Sequence, residues 1–144
     1  MSTVQSILKD KGEGVVTIAS ASSALEAAKR MNEQRIGCLV VVDAGAVVGI
    51  VSERDILTRL VAVGKDASKT RVAELMTRDV ESCGLDTTIL TLRGLMQRKR
   101  IRHVPVLDEQ QRLRGLVSIG DLNAFEADGL NVRIHVLEEY IQRG

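Results

Sequence analysis

Two kinds of apolar pattern alternate along the chain. Ala24, Leu25, Ala28 and Met31 recur at helical spacing and can share one face. Directly after them, the β-branched runs "CLVVVD" and "VVGIV" stand on either side of Ala44-Gly45-Ala46, which predicts a buried hairpin. The same order then returns. Ile89, Leu92 and Met96 mark a second amphipathic helix, and "HVPVLD" and "RLRGLV" flank Glu109-Gln110-Gln111 as a second hairpin. A short strand precedes each helix, near Val15 to Ile18 and near Val80 to Cys83. Polar residues between strand and helix offer N-caps: Ser22 or Ser23 in the first half, Asp86 or Thr87 in the second.

The chain is therefore an internal duplication. At an offset of 65, Leu25 meets Leu90, Met31 meets Met96, Arg35-Ile36 meets Arg100-Ile101 and Asp43 meets Asp108. One extra residue in the second hairpin loop raises the offset to 66, and Gly49, Ser52 and Asp55 then meet Gly115, Ser118 and Asp121. Each half has the order β-α-β-β-α, closed by a helix that starts at Ser52 or Ser118. The fold class is α+β. A half of roughly 60 residues buries too little surface to be secure alone, so the two sheets are expected to pack together as one paired module. The expected boundaries are 1–63 for the first repeat, 64–70 ("GKDASKT") for the linker, 71–128 for the second repeat and 129–144 for a terminal helix. In that last helix Val132, Val136, Leu137, Tyr140 and Ile141 can form a stripe, with Glu138, Glu139 and Arg143 outside it. The stripe either docks on the chain's own core or meets a second copy.

Composition narrows the function. Of the 144 residues, 44% are hydrophobic and only Phe125 and Tyr140 are aromatic, so the core is aliphatic and no aromatic platform for single-stranded nucleic acid exists. A net charge of +1 provides no global field toward nucleic acid or an anionic membrane. No signal-peptide pattern opens the sequence and no apolar run approaches the ~18 residues of a membrane span, so a cytoplasmic location is expected. Cys38 and Cys83 form no disulfide framework and read as buried, inert thiols. His103 and His135 lack the spacing of a metal set, and no P-loop or nucleophile-base arrangement is present, which leaves no basis for an enzyme.

The repeated Ser-x-x-Asp in "GIVSERDIL" and "GLVSIGDLN" supports two chemistries. As a capping box, Asp reaches back to the Ser amide. As a binding site, unpaired amides at the helix start attract an anion, while a carboxylate one turn in accepts hydrogens from a cis-diol.

These features together resemble the cystathionine-β-synthase (CBS) domain pair, or Bateman module. The resemblance rests on "GIVSERDI" and "GLVSIGDL", "RIGCLVVVD" and "RIRHVPVLD", and "ELMTRDV" before the second repeat, and covers about Val4 to Asn123. It implies a stand-alone, non-enzymatic regulatory module. The cleft between repeats would take AMP first of all, or ADP, ATP, NAD(H) or S-adenosylmethionine. Asp55 and Asp121 would hold ribose hydroxyls, and Ser52 and Ser118 would face phosphate. Arg102 and His103 would add phosphate donors, and Pro105 would keep an open strand edge beside them. In the first repeat Gly37-Cys38 replaces Arg102-His103, and Arg54 stands where the second has Gly120, so Arg54 and Lys11 would be the first site's phosphate partners. Gly120 would leave room for a ligand near the backbone, which points to the second site for a mononucleotide. Thr77 would lie near the sugar-phosphate and Thr17 would join the ligand site, while Ile36, Ile50, Val80, Ile101 and Leu116 are core positions of which some would also line the adenine pocket. A homodimer in a flat four-repeat disc and an unknown effector protein are the implied partners. A ligand-independent dimerisation module is the alternative. A nucleic-acid binder using Arg98 to Arg102 with Arg112 and Arg114 is opposed by the low charge.

Overall fold

The structure, a computed structural model, describes residues 2–12 and 14–143, with side chains outside 131–133 and 142–143. Helix α1 spans Val4–Lys11 and strand β1 spans Thr17–Ile18. Helix α2 (Ala24–Gln34) leads to the hairpin of β2 (Cys38–Asp43) and β3 (Ala46–Ser52), and α3 (Glu53–Ile56) continues into a π-helical turn, Leu57–Val61. Helix α4 (Val72–Leu75) precedes α5 (Ile89–Lys99), the hairpin of β4 (His103–Leu107) and β5 (Leu113–Ser118), and α6 (Ile119–Arg143). The α+β class, the two hairpins and the terminal helix are as expected.

Each hairpin is built alike. β1 pairs parallel with β2, Ile18 opposite Val41, and in the second half Cys83 alone bridges Val106 in parallel. Ala44 and Gly45 both have positive φ (49° and 80°), the backbone a two-residue primed turn needs. Both hairpins slip register at matching places, between Val41 and Val42 and between Val106 and Leu107. The caps differ in detail from expectation. Ser23 Oγ accepts from the Glu26 amide at 3.1 Å, as one alternative held, but Thr88, not Asp86 or Thr87, caps α5, accepting from the Thr91 amide at 3.1 Å. On α2 the buried face is Ala24, Ala27 and Met31, while Leu25 is exposed; Leu25 lies one position round the helix from the stripe that Ala27 completes.

The two cores exchange helices. Val72, Leu75 and Met76, which precede the helix and hairpin of the second repeat, are buried with Ile18, Leu39 and Val51 of the first. Val4, Ile7 and Leu8, which precede the helix and hairpin of the first, are buried with Leu92, Val104, Val117 and Leu122 of the second. The anchoring bonds match pair by pair. The Val4 amide donates to Thr87 O at 2.9 Å and the Val72 amide to Ser22 O at 2.8 Å. The Gln5 amide donates to Leu85 O at 3.1 Å and the Ala73 amide to Ser20 O at 2.9 Å. Each helix is thus wired to the repeat that does not follow it.

Helix α6 is continuous from Ile119, so the closing helix of the second repeat and the terminal helix are a single rod. Its first turns pack through Leu122 and Phe125, and Arg93 of α5 ties it down by ion pairing with Glu126 at 3.0 Å. Beyond that, Leu130, Ile134, Val136, Leu137, Tyr140 and Ile141 are 45–77% exposed. The expected stripe therefore does not dock on the chain's own core at Val136, Leu137, Tyr140 and Ile141; the side chains of Val132 and Arg143 lie outside the described residues.

Candidate functional site

Both Ser-x-x-Asp motifs are capping boxes. Ser52 Oγ accepts from the Asp55 amide at 3.2 Å, and Asp55 Oδ2 accepts from the Ser52 amide at 2.9 Å. Ser118 Oγ accepts from the Asp121 amide at 3.1 Å, and Asp121 Oδ2 accepts from the Ser118 amide at 2.9 Å. The cap uses one carboxylate oxygen, Oδ2, and leaves Oδ1 to other partners, so capping and ligand contact are compatible.

Each motif opens on a cleft whose opposite wall comes from the other repeat. The first cleft, about 240 Å³, is lined by Ile50, Ser52, Glu53, Arg54 and Asp55 with Gly37, and faced by Thr77, Asp79, Val80, Glu81, Arg100, Ile101, Arg102 and His103. The second, about 380 Å³, holds Leu116, Ser118, Asp121 and, from the same hairpin, His103, with Lys11, and is faced by Gly14, Val15, Val16, Arg35, Ile36, Gly37 and Cys38. Two larger hollows take in neither motif's Ser-Asp pair: one of about 550 Å³ adjoins both clefts through Gly37, and one of about 720 Å³ lies by the second hairpin loop.

This arrangement reverses one expectation. Arg102 begins the second hairpin, but that hairpin's corner faces the first repeat's motif, so Arg102 shares the first cleft with Arg54. Lys11 precedes the first repeat, but α1 packs on the second, so Lys11 lies in the second cleft. The cleft rich in phosphate donors is the first, not the second. His103 lines both.

Three candidates lie outside both clefts. Thr17 is paired in β1, and its carbonyl accepts from Arg30 Nη1 at 2.6 Å. Pro105 is buried in β4 and leaves no open edge, because its carbonyl accepts from the Cys83 amide at 3.0 Å; proline loses a donor and keeps its acceptor. Gly120 is exposed in the first turn of α6, where an added Cβ would meet only Ser118 Oγ at 3.6 Å.

Other groups shape the first cleft without having been singled out from the sequence. Arg59, on the π-helical turn, donates through Nη1 to the carbonyls of Leu75 at 3.0 Å and Met76 at 3.2 Å, and its Nε lies 3.8 Å from Asp55 Oδ1. It joins the end of the exchanged helix α4 to the motif carboxylate. Asp79, Glu81 and Glu53 add acidic groups to the cleft that holds Arg54, Arg100 and Arg102. Arg100, like its counterpart Arg35, sits at a helix end with φ 54°, a left-handed backbone that turns the chain into its cleft corner.

His103 is held below its ordinary value of 6.5, first by burial and then by the charges of Arg102 and Lys11; Asp121 and Glu53 act in the opposite sense. Burial and the neighbouring cations thus both disfavour the charged imidazole. Asp121 is held below its ordinary value: burial pushes upward, but is outweighed by the Lys11 ammonium and the Ser118 hydrogen bonds. No group of three or more His, Cys, Asp and Glu suited to a metal occurs among the described residues, and no described helix is long and apolar enough to cross a membrane.

Comparison with known proteins matches this geometry to a family. The CBS domain matches twice, over residues 10–62 and 72–127. The mitochondrial CBS domain-containing protein CBSX3 of Arabidopsis thaliana is 30% identical, covering 99% of this chain and 73% of the relative. The crystal structure of the CBS-domain containing protein ATU1752 from Agrobacterium tumefaciens is 37% identical with a TM-score of 0.82, covering 87% of this chain and 99% of the other. The CBS domain pair of protein MJ0100, solved in complex with 5′-methylthioadenosine and S-adenosyl-L-methionine, is 29% identical with a TM-score of 0.79, covering 90% and 98%. Two matched repeats and relatives spanned along most of their length lead to one conclusion: the chain belongs to the CBS-domain family as a tandem pair of repeats.

Proposed function

We propose that the chain is a regulatory, non-enzymatic module that binds an adenosyl ligand in its first cleft. AMP is the foremost candidate, with ADP, ATP or NAD(H) as the other members of the class. The observation that carries this reading is the convergence of ten candidate residues on one cavity: Gly37, Ile50, Ser52, Arg54, Asp55, Thr77, Val80, Ile101, Arg102 and His103. Asp55 Oδ1 accepts from the ribose diol while Oδ2 keeps the cap. Thr77 lies beside the sugar, and its peptide is fixed by exchanging hydrogen bonds with Ile50 at 2.8 and 3.0 Å. Ile50, Val80 and Ile101 offer an apolar slot for the base, and Arg54 and Arg102 meet the phosphate. A volume of about 240 Å³ lies below the ~300–1,000 Å³ usual for small-molecule pockets, which favours a mononucleotide over NAD(H). The ligand complex of MJ0100 supports the adenosyl class.

Binding between the repeats shifts their relative orientation, a population change that a partner protein reads. Leu57, Val61 and Val63, just after the first motif, are 60–62% exposed. They favour a homodimer contact, with or without ligand. Size-exclusion chromatography of Leu57→Lys with Val61→Lys tests that contact; an unchanged elution volume removes it.

The test of ligand binding is a thermal-shift and calorimetry screen with AMP, ADP, ATP, NAD+, NADH and S-adenosylmethionine. A ligand at ~100 times its Kd adds ~2.7 kcal/mol of stability. Asp55→Asn removes the shift. Absence of a shift with all six compounds overturns the reading and leaves the dimerisation module in its place.

A further inference from the structure

The two clefts differ in how their strand-edge carbonyl and motif carboxylate are occupied. In the first, the Ile50 carbonyl accepts from the backbone amide of Thr77 at 2.8 Å. The duplicated residue is Leu116, and its carbonyl accepts instead from Lys11 Nζ at 2.7 Å. The same ammonium reaches Asp121 Oδ2 at 2.6 Å. Asp55, by contrast, has only the distant Arg59 Nε at 3.8 Å beyond its capping partners.

The cause lies in the exchanged helices. α4 stops at Leu75, so the chain becomes extended in time for Thr77 to bridge Ile50. α1 runs on to Lys11, and among the described residues it is the Lys11 side-chain ammonium, not a backbone amide, that donates to Leu116 O. Val4, Ile7 and Leu8 fix the helix in the second core, so its last residue is delivered to the cleft by the fold itself.

We propose that Lys11 is a built-in plug of the second cleft that restricts adenosyl-ligand loading to the first. This rests on the adenosyl-ligand reading above. A ribose diol arriving at Asp121 finds Oδ2 held by both the cap and the ammonium, so only Oδ1 is left to it beside a fixed cation, and displacing that cation also strips the Leu116 carbonyl of its donor. The opposite wall offers a single guanidinium, Arg35, since Gly37 and Cys38 stand where the first cleft has Arg102 and His103. The second cleft is the larger of the two, so its closure is by charge and hydrogen bonding and not by lack of room.

Calorimetric titration with AMP decides this by stoichiometry. The wild-type chain binds one AMP, and Asp55→Asn abolishes it. Lys11→Met keeps the aliphatic stem and binds two; Lys11→Met with Asp121→Asn returns to one. Lys11→Gln, which retains a donor for Leu116 but no charge, binds two more weakly, and guards against misfolding of the methionine variant. Lys11→Met remaining at one overturns the plug while leaving the first-cleft reading intact. Two AMP in the wild type falling to one in Lys11→Met also overturns it, by making Lys11 a phosphate partner. No AMP bound by any variant overturns the adenosyl reading, and the plug with it.

Discussion

Gly49 lies under Met76: a Cβ at Gly49 would stand 2.7 Å from the methionine sulfur and 2.9 Å from the Thr77 carbonyl. The second repeat repeats the relationship with Gly115 and Leu8, where the nearest methyl would be 2.6 Å away. These glycines let each exchanged helix settle on its sheet.

Gly49→Ala is expected to destabilise the protein by ~1–3 kcal/mol, as overpacking does, measured by urea unfolding. The displaced Thr77 peptide also weakens AMP binding in the first cleft. A fully stable variant would remove the close-approach role.

Gly115→Ala is expected to cost less, because a leucine terminus yields more easily than a peptide carbonyl. Leu8→Ala costs ~2–5 kcal/mol through the cavity it leaves. In the double variant the new methyl takes up part of that cavity, so the two losses sum to more than the measured effect. A double-mutant cycle showing strict additivity would contradict the contact.

AMP affinity is expected to rise as pH falls from about 8 toward 5. The sign follows from His103, whose value in the free protein is held below 6.5 by burial, Arg102 and Lys11. A bound phosphate raises it, so binding takes up a proton. Affinity tightens as pH falls through the bound-state value and levels off below the free one. His103→Asn flattens the His103 contribution; the phosphate's own titration near pH ~6 remains as the control baseline. Identical profiles for wild type and variant would exclude His103.

Acid sensitivity should follow the Lys11 to Asp121 pair. Asp121 has a folded value below its ordinary 3.8, so its stabilisation is complete above 3.8 and is lost as pH falls through the folded value. The stability margin of wild type over Lys11→Met therefore narrows with acidification in that window. A margin constant with pH would show that the ammonium contributes nothing through the carboxylate.

Both thiols should resist reagents in the native state. Burial, with a smaller contribution from the Asp55 charge, pushes Cys38 up to about 12, and burial pushes Cys83 up to about 11. At pH ~8 an aromatic disulfide reagent should react slowly with the folded chain and fully in denaturant. Rapid native labelling would revive a redox role.

The duplication, both hairpins and the residues of the clefts were legible because they are local and stated twice. Pairing across the clefts was not. "KRIRHVPV" and "GLVSIGDL" belong to one repeat in sequence, yet Arg102 lines the same cleft as Asp55. The reason is the exchange of α1 and α4. Val4, Ile7 and Leu8 are an apolar helical pattern, but nothing in such a pattern names the core that receives it. Arg59 escaped notice because its partners are backbone carbonyls, which leave no signature in sequence. The shift of the α5 cap to Thr88 is a boundary effect among adjacent polar residues.

The exchanged helices also act mechanically. Each half grips a strut owned by the other half's chain, with Leu8 and Met76 as the seated ends. Drawing the halves straight apart would pull both ends from their sockets at once, exposing apolar surface on each side. The connector that follows the second strut, Thr77 to Ser82, includes no buried core residue, so the grip lies in the seated ends alone. The two struts therefore couple the halves: neither can part from the other without unseating an end.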